Sequence, residues 1–114
     1  MLPQDTRASI ICITMTKKAD WQFGYSLWEV EVYPGGPGRT NLVDKNCAGR
    51  STVQDEGAFP SRYAVDGRYD TRWGSDHGEE QSWLAVCLTA KQEISNIDLY
   101  WESAYATEYS ISVR

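Results

Sequence analysis

Imidazole is nearly missing from this chain: His77 is the only histidine. Any Ser-His-Asp or Cys-His arrangement would have to be built on that one ring. Three common signatures of catalytic or nucleotide sites are also absent: GxSxG, HExxH and a phosphate-cradling glycine loop. The neighbouring acids Glu79 and Glu80 have the chemistry of a glycosidase pair. They lie in the very polar stretch SDHGEEQ, where solvation accounts for them. The chain therefore reads as a protein that is not an enzyme.

Positive charge is also short. Eleven Lys and Arg stand against sixteen Asp and Glu, a net charge of −5. Duplex DNA and anionic membranes need clustered basic residues, so neither is an expected partner. No apolar run reaches the length of a membrane span. Met1 to Thr6 lacks the charged-then-apolar plan of a signal peptide. Cysteine is sparse, at Cys12, Cys47 and Cys87, with no CxxC spacing for a zinc knuckle. Cys12 and Cys87 sit in the apolar runs IICITM and LAVCL and read as buried thiols. One disulfide could form, but spacing does not assign it. There is no internal repeat, and no stretch holds a 3.6-residue period for three turns, so no long helix is expected.

What the chain has in quantity is aromatic surface, with five Trp and seven Tyr in 114 residues. In a single small domain, some rings belong to the core and others remain outside, where they bind things. Strand patterns supply the frame. ASIICITM (8–15) is rich in β-branched residues. LWEVEVY (27–33) places Trp28, Val30 and Val32 on one face and Leu27, Glu29, Glu31 and Tyr33 on the other. SWLAVCL (82–88) is apolar on both faces, as a central strand can be. EISNIDLYW (93–101) aligns Ile97, Leu99 and Trp101, and EYSISVR (108–114) turns Tyr109, Ile111 and Val113 inward. Long polar loops join these segments, and PGGPGRT (34–40) reads as a linker. The pattern predicts an all-β antiparallel sandwich of the jelly-roll kind.

Three stretches carry chemistry. In YAVDGRYDTRW (63–73), Asp66, Asp70 and Thr71 offer oxygen donors within six positions, and Gly67 permits a tight turn. That composition suits a hard cation such as calcium; it equally suits an Asx turn in which Asp66 caps its own backbone. In WESAYATEYSISV (101–113), Glu102 and Tyr105 occupy a loop between strands, a combination that suits a sugar, although Glu102 can also be merely solvated. In TKKADWQFGYSLWE (16–29), Trp21, Phe23 and Tyr25 alternate into a strand, either packing its end or projecting with Lys18 over a ligand.

Together these stretches resemble discoidin domains, the coagulation-factor type C family within the galactose-binding-like superfamily. The carrying segments are NLV (41–43), AVDGRYDTRW (64–73), WLAVCL (83–88), ISNIDLYWESAY (94–105) and YSISV (109–113), in family order. The family's C-terminal signature also has its match, in RASIICITMTKKADWQFGYSLWEVEVY (7–33), but here it stands first. A stretch the family places after YSISV is absent. The resemblance thus implies one domain over residues 1–114 in circularly permuted order. The family's last strands occupy 1–33, the linker 34–40, and its first part 41–114. The alternative is a chain completed by strand exchange with another copy, a homodimer.

The resemblance also implies sites. A structural Ca2+ would take the side chains of Glu29, Asp66 and Thr71 and the carbonyls of Trp28, Tyr63 and Arg68. Arg68 replaces the Asp or Asn usual at its position. Carbohydrate would bind at the loops of one end, on Lys18, Trp21, Tyr25, Glu56, Arg72, Asp76, Glu102 and Tyr105. The implied function is that of a secreted, extracellular, non-catalytic carbohydrate-binding module. Its glycan would be an amino-sugar chain such as chitosan, a β-glucan or a galactoside. A structural or adhesion module binding a protein partner is the alternative.

Overall fold

Buried apolar residues alternate along the two longest strands, and that alternation decides how they stack. The computed structural model describes residues 6–20, 22–35, 40–51, 54, 57–78 and 80–114. The strands are β1 (Arg7–Lys18), β2 (Ser26–Tyr33), β3 (Val43–Arg50), β4 (Trp73–Gly74), β5 (Ser82–Glu93), β6 (Asn96–Trp101) and β7 (Ala106–Val113). They form two antiparallel sheets, of order β3-β5-β1-β7 and β4-β2-β6. Among the described residues the one helical element is a single 3₁₀ segment, Ser61–Ala64, in keeping with the missing helical period.

The core lies between the sheets. β1 contributes Ile11, Ile13 and Met15, β5 contributes Leu84, Val86 and Leu88, and β2 contributes Leu27, Val30 and Val32. Trp73, fully buried, closes one end. Burying a side chain of this size stabilises the fold by roughly 1.5–3 kcal/mol, so the core depends on the inward face of β1 being apolar throughout.

Three strand faces differ from the alternation read in the sequence; on β7 the face read as inward leaves Tyr109 45% and Ile111 36% exposed. Leu27, not Trp28, is buried with Val30 and Val32. The β2–β6 register slips between Leu27 and Glu29, so Trp28 is the extra residue of a β-bulge and the alternation shifts by one. Glu29 and Glu31 do share the opposite face, yet both are buried, because the loop after the 3₁₀ segment lies over them. Its Gly67 N–H donates to Glu29 and its Tyr69 hydroxyl donates to Glu31. β5 is central in its sheet, but only one face is covered, leaving Trp83 41% exposed on the other.

Cys87 is not a buried thiol. It forms a disulfide with Cys47, tying β5 to β3 with the Cα atoms 5.4 Å apart, and Cys12 is the free, half-buried cysteine. The apolar run around Cys87 concealed this, since alternation places the cysteine on the face away from Leu84, Val86 and Leu88. The start of the linker meets the sheet normally, with Ser95 N–H donating to Tyr33 O at 2.8 Å. Residues 36–39 of PGGPGRT lie outside the described residues.

Candidate functional site

One end of the sandwich carries a cavity of about 250 Å³. Its walls come from the entry to β2, the exit of β4 and the β6–β7 loop. Backbone bonds hold these three together. Ser75 N–H donates to Tyr25 O at 2.8 Å, Ser26 N–H to Ala104 O at 2.8 Å, and Glu102 N–H to Ser26 O at 3.0 Å. Tyr25 N–H donates to the Ser75 hydroxyl at 2.6 Å. Gly24 is required by this approach: a Cβ there would stand 2.3 Å from Ser75 Oγ and 2.7 Å from Asp76 O.

Glu102 and Arg72 form the charged part of the cavity. Burial alone would raise the Glu102 carboxyl. Hydrogen bonds from the Ser103 hydroxyl (2.6 Å) and the Ala104 N–H (3.0 Å), with the charge of Arg72, outweigh it and hold the value below the carboxylate range. Glu102 is thus ionised at neutral pH. Arg72 donates to Ser26 Oγ at 2.9 Å and stacks its guanidinium 3.8 Å from the centre of the Phe59 ring. Phe23, 44% exposed, meets His77 edge to face at 5.7 Å. The cavity therefore offers a fixed carboxylate, a guanidinium, hydroxyls and ring surface, which is a donor and acceptor set for polyhydroxy ligands.

The residues proposed from sequence fall unevenly around this cavity. Glu102, Arg72 and Tyr25 line it. The Tyr25 side chain is buried, and its hydroxyl donates to Glu80 O; burial first, then the Glu80 charge, pushes its pKa to about 12. Lys18 reaches the same end, with Nζ donating to His77 O at 2.8 Å. Asp76 accepts from Gly78 N–H at 3.0 Å within its own turn. Tyr105 is 46% exposed, and its carbonyl accepts from Ala19 N–H at 3.1 Å, pinning the loop to the end of β1. Trp21 and Glu56 lie outside the described residues. Phe23, Gln54, Ser75, His77 and Ser103 also line the cavity and were not in the sequence-based set. His77 was singled out only as an isolated catalytic candidate, and nothing in SDHGEEQ signals that it meets a ring fifty-four positions earlier.

The second cluster surrounds Glu29, on the far face of β2. One carboxylate oxygen, Oε2, accepts from Gly67 N–H at 3.0 Å. The other, Oε1, is buried with no hydrogen-bond partner. Burial, reinforced by the charges of Asp66 and Glu31 and opposed by Gly67 N–H and Lys45, pushes the Glu29 pKa to about 8. Asp66 accepts from Arg68 N–H at 3.1 Å and from the Thr71 hydroxyl at 2.5 Å, so the Asx turn, one of the two readings of this stretch, is present. Gly67 has φ 79°, which favours glycine. The Arg68 side chain pairs with Asp70 in solvent, two bonds of 2.8 and 2.7 Å, so only the Arg68 backbone takes part in the turn. The bulge leaves Trp28 out of the β2–β6 register, and Tyr63 sits in the 3₁₀ segment.

The orphaned Glu29 oxygen is the observation that bears on a hard cation here. An orphaned buried carboxylate oxygen costs the fold free energy that a bound ion would recover. Among the described residues no group of three His, Cys, Asp or Glu side chains could hold a metal. A cation at Glu29 and Asp66 would therefore depend on the Thr71 hydroxyl and on carbonyls to complete its shell.

Comparison with known proteins gives one positive finding: a model of the F5/8 type C domain matches residues 48–114. No curated protein and no solved structure matches the chain.

Proposed function

We propose, from the premise that this chain belongs to the F5/8 type C (discoidin) domain family, that it is a non-catalytic carbohydrate-binding module. The family's domains commonly bind carbohydrates or other ligands, and the domain detected here is non-catalytic. The Cys47–Cys87 disulfide and the family both accord with an extracellular protein, and we place it among secreted ones.

The observation that carries the reading is that an ionised Glu102 and Arg72 line one cavity bordered by the exposed Phe23 ring. Glu102 would accept from vicinal hydroxyls or an amine, Arg72 would donate to ring or hydroxyl oxygens, and Phe23 would pack the C–H face of a pyranose. Lys18 reaches this end, and Trp21 and Glu56 belong to the set that the family resemblance implies. Amino-sugar chains such as chitosan are the preferred class because of the carboxylates; β-glucans and galactosides are the alternatives. A single shallow site binds weakly, and repetition in an array would raise avidity.

Ca2+ has a structural part in this reading. Glu29, Asp66 and Thr71 would hold it, with carbonyls of Trp28, Tyr63 and Arg68. It would supply positive charge to the orphaned Glu29 oxygen and tie β2 to the loop 66–71. Because β2 belongs to the displaced N-terminal segment, the ion would fasten residues 1–33 to residues 41–114 in one permuted domain.

A glycan array followed by calorimetry on chitosan, β-glucan and galactoside oligomers tests the function. Retention of one class, lost in Glu102→Ala, supports it. No retention of any glycan by the folded protein overturns it and favours an assembly or adhesion role.

A further inference from the structure

β7 is one of the two edge strands of the four-stranded sheet, opposite β3, and among the described residues nothing pairs with its far edge. The direction of its peptide groups can be read from its end. Ile10 N–H donates to Arg114 O at 3.0 Å and Arg114 N–H to Ile10 O at 2.9 Å. In an antiparallel ladder successive residues point their N–H and C=O groups to opposite sides. Ser110 and Ser112, partners of Thr14 and Cys12, share the parity of Arg114 and face β1. Tyr109, Ile111 and Val113 therefore present theirs outward.

Between residues 109 and 113 this edge lacks the features that keep edge strands apart. Residues 109–113 contain no Pro and no Lys, and their register with β1 is unbroken from Met15↔Tyr109 to Ile11↔Val113. Their apolar side chains are poorly covered. Tyr109 is 45% and Ile111 36% exposed, although the facing Met15 and Ile13 are fully buried.

We propose that β7 pairs antiparallel with β7 of a second copy of this chain, about a two-fold axis at Ile111, joining two four-stranded sheets into one continuous sheet. No strand changes hands. In this register every outward N–H and C=O of Tyr109, Ile111 and Val113 meets a partner. Ile111 stands opposite its own copy and Tyr109 opposite Val113. On the other face Glu108 stands opposite Arg114, once on each side of the axis. Neither Glu108 nor Arg114 has an ion partner in its own chain among the described residues.

Charge selects this register. An axis at Ser110 sets Glu108 against Ser112 and Arg114 against Ala106. An axis at Tyr109 sets Glu108 against Ser110. Only the axis at Ile111 brings the opposite charges together, and the pairing is self-complementary, as a two-fold interface requires.

Sedimentation equilibrium of the intact chain tests this. The expected result is a reversible monomer–dimer equilibrium in the micromolar range, as a small strand-edge interface gives. Ile111→Pro removes only an outward N–H, so it should leave a folded monomer at every concentration. Glu108→Arg or Arg114→Glu alone should weaken the dimer by about tenfold, because like charges then face each other on both sides of the axis. The double variant E108R/R114E should recover dimerisation to within about twofold, since it exchanges the two charges. A monomeric wild type overturns the proposal. So does a dimer that survives Ile111→Pro, or a double variant no better than the single ones. If Ile111→Pro fails to fold, the charge-exchange set decides alone.

Discussion

Glu102 shows how one residue's chemistry depends on a few fixed neighbours. Its carboxyl is held below its ordinary value of 4.5, against burial, by Ser103, Ala104 and Arg72. A carboxyl depressed on folding contributes stability above its unfolded pKa and loses that contribution as pH falls through the folded value. The window therefore lies on the acid side of 4.5. Glycan affinity measured by calorimetry should be level from neutral pH down to that window and then fall. Glu102→Gln should lower affinity at neutral pH and flatten the profile. Gly24 is equally dependent on its surroundings, since a Cβ would collide with backbone and hydroxyl oxygens of the Ser75–Asp76 turn. Gly24→Ala should destabilise the domain by about 1–3 kcal/mol in denaturant unfolding, because the backbone must shift to relieve the overlap. Glu29 belongs to the same scale. If Ca2+ answers its orphaned oxygen, chelation should lower the melting temperature of the wild type, and Glu29→Ala should melt identically with and without calcium. An unchanged wild-type midpoint would sink the calcium reading.

At the scale of elements, the β3–β5 pair depends most on covalent help. Its register breaks between Val43 and Ala48, and the Cys47–Cys87 bridge spans that break across a separation of 40 residues. Closing a loop of this length stabilises by roughly 4 kcal/mol through the unfolded chain. Replacing both cysteines by alanine should cost stability of that order in denaturant melts. Cys12→Ser, at the half-buried free thiol, should cost far less. β2 shows a different economy. A single bulge moves Leu27 into the core and leaves Trp28, just ahead of Glu29, without a partner in the β2–β6 register. Alternation along LWEVEVY could not reveal it, because a bulge depends on the partner strand as well as its own residues.

For the whole molecule, the order of strands in space differs from their order in the chain. β1 lies between β5 and β7, and β2 between β4 and β6. The N-terminal strands are thus central to both sheets. Deleting residues 1–33 should leave the remainder unfolded by circular dichroism, because Ile11, Ile13, Met15, Leu27, Val30 and Val32 would be missing from the core.

The sequence by itself determined the class of fold and most strand positions, because period-two burial is a local property that β-branched and aromatic residues write directly into the chain. ASIICITM, SWLAVCL and YSISV all lie within strands close to where the pattern put them. It also offered the Asx turn at Asp66 and Gly67 as one of two readings, and the turn's hydrogen bonds run over a few residues. Tertiary structure alone decided which distant residues meet. Cys47 found Cys87 across two strands, Phe23 found His77, and the loop carrying Tyr69 covered Glu31. Those contacts arise from sheet order, loop path and register, which depend on all the strands packing together and are not encoded in any one segment.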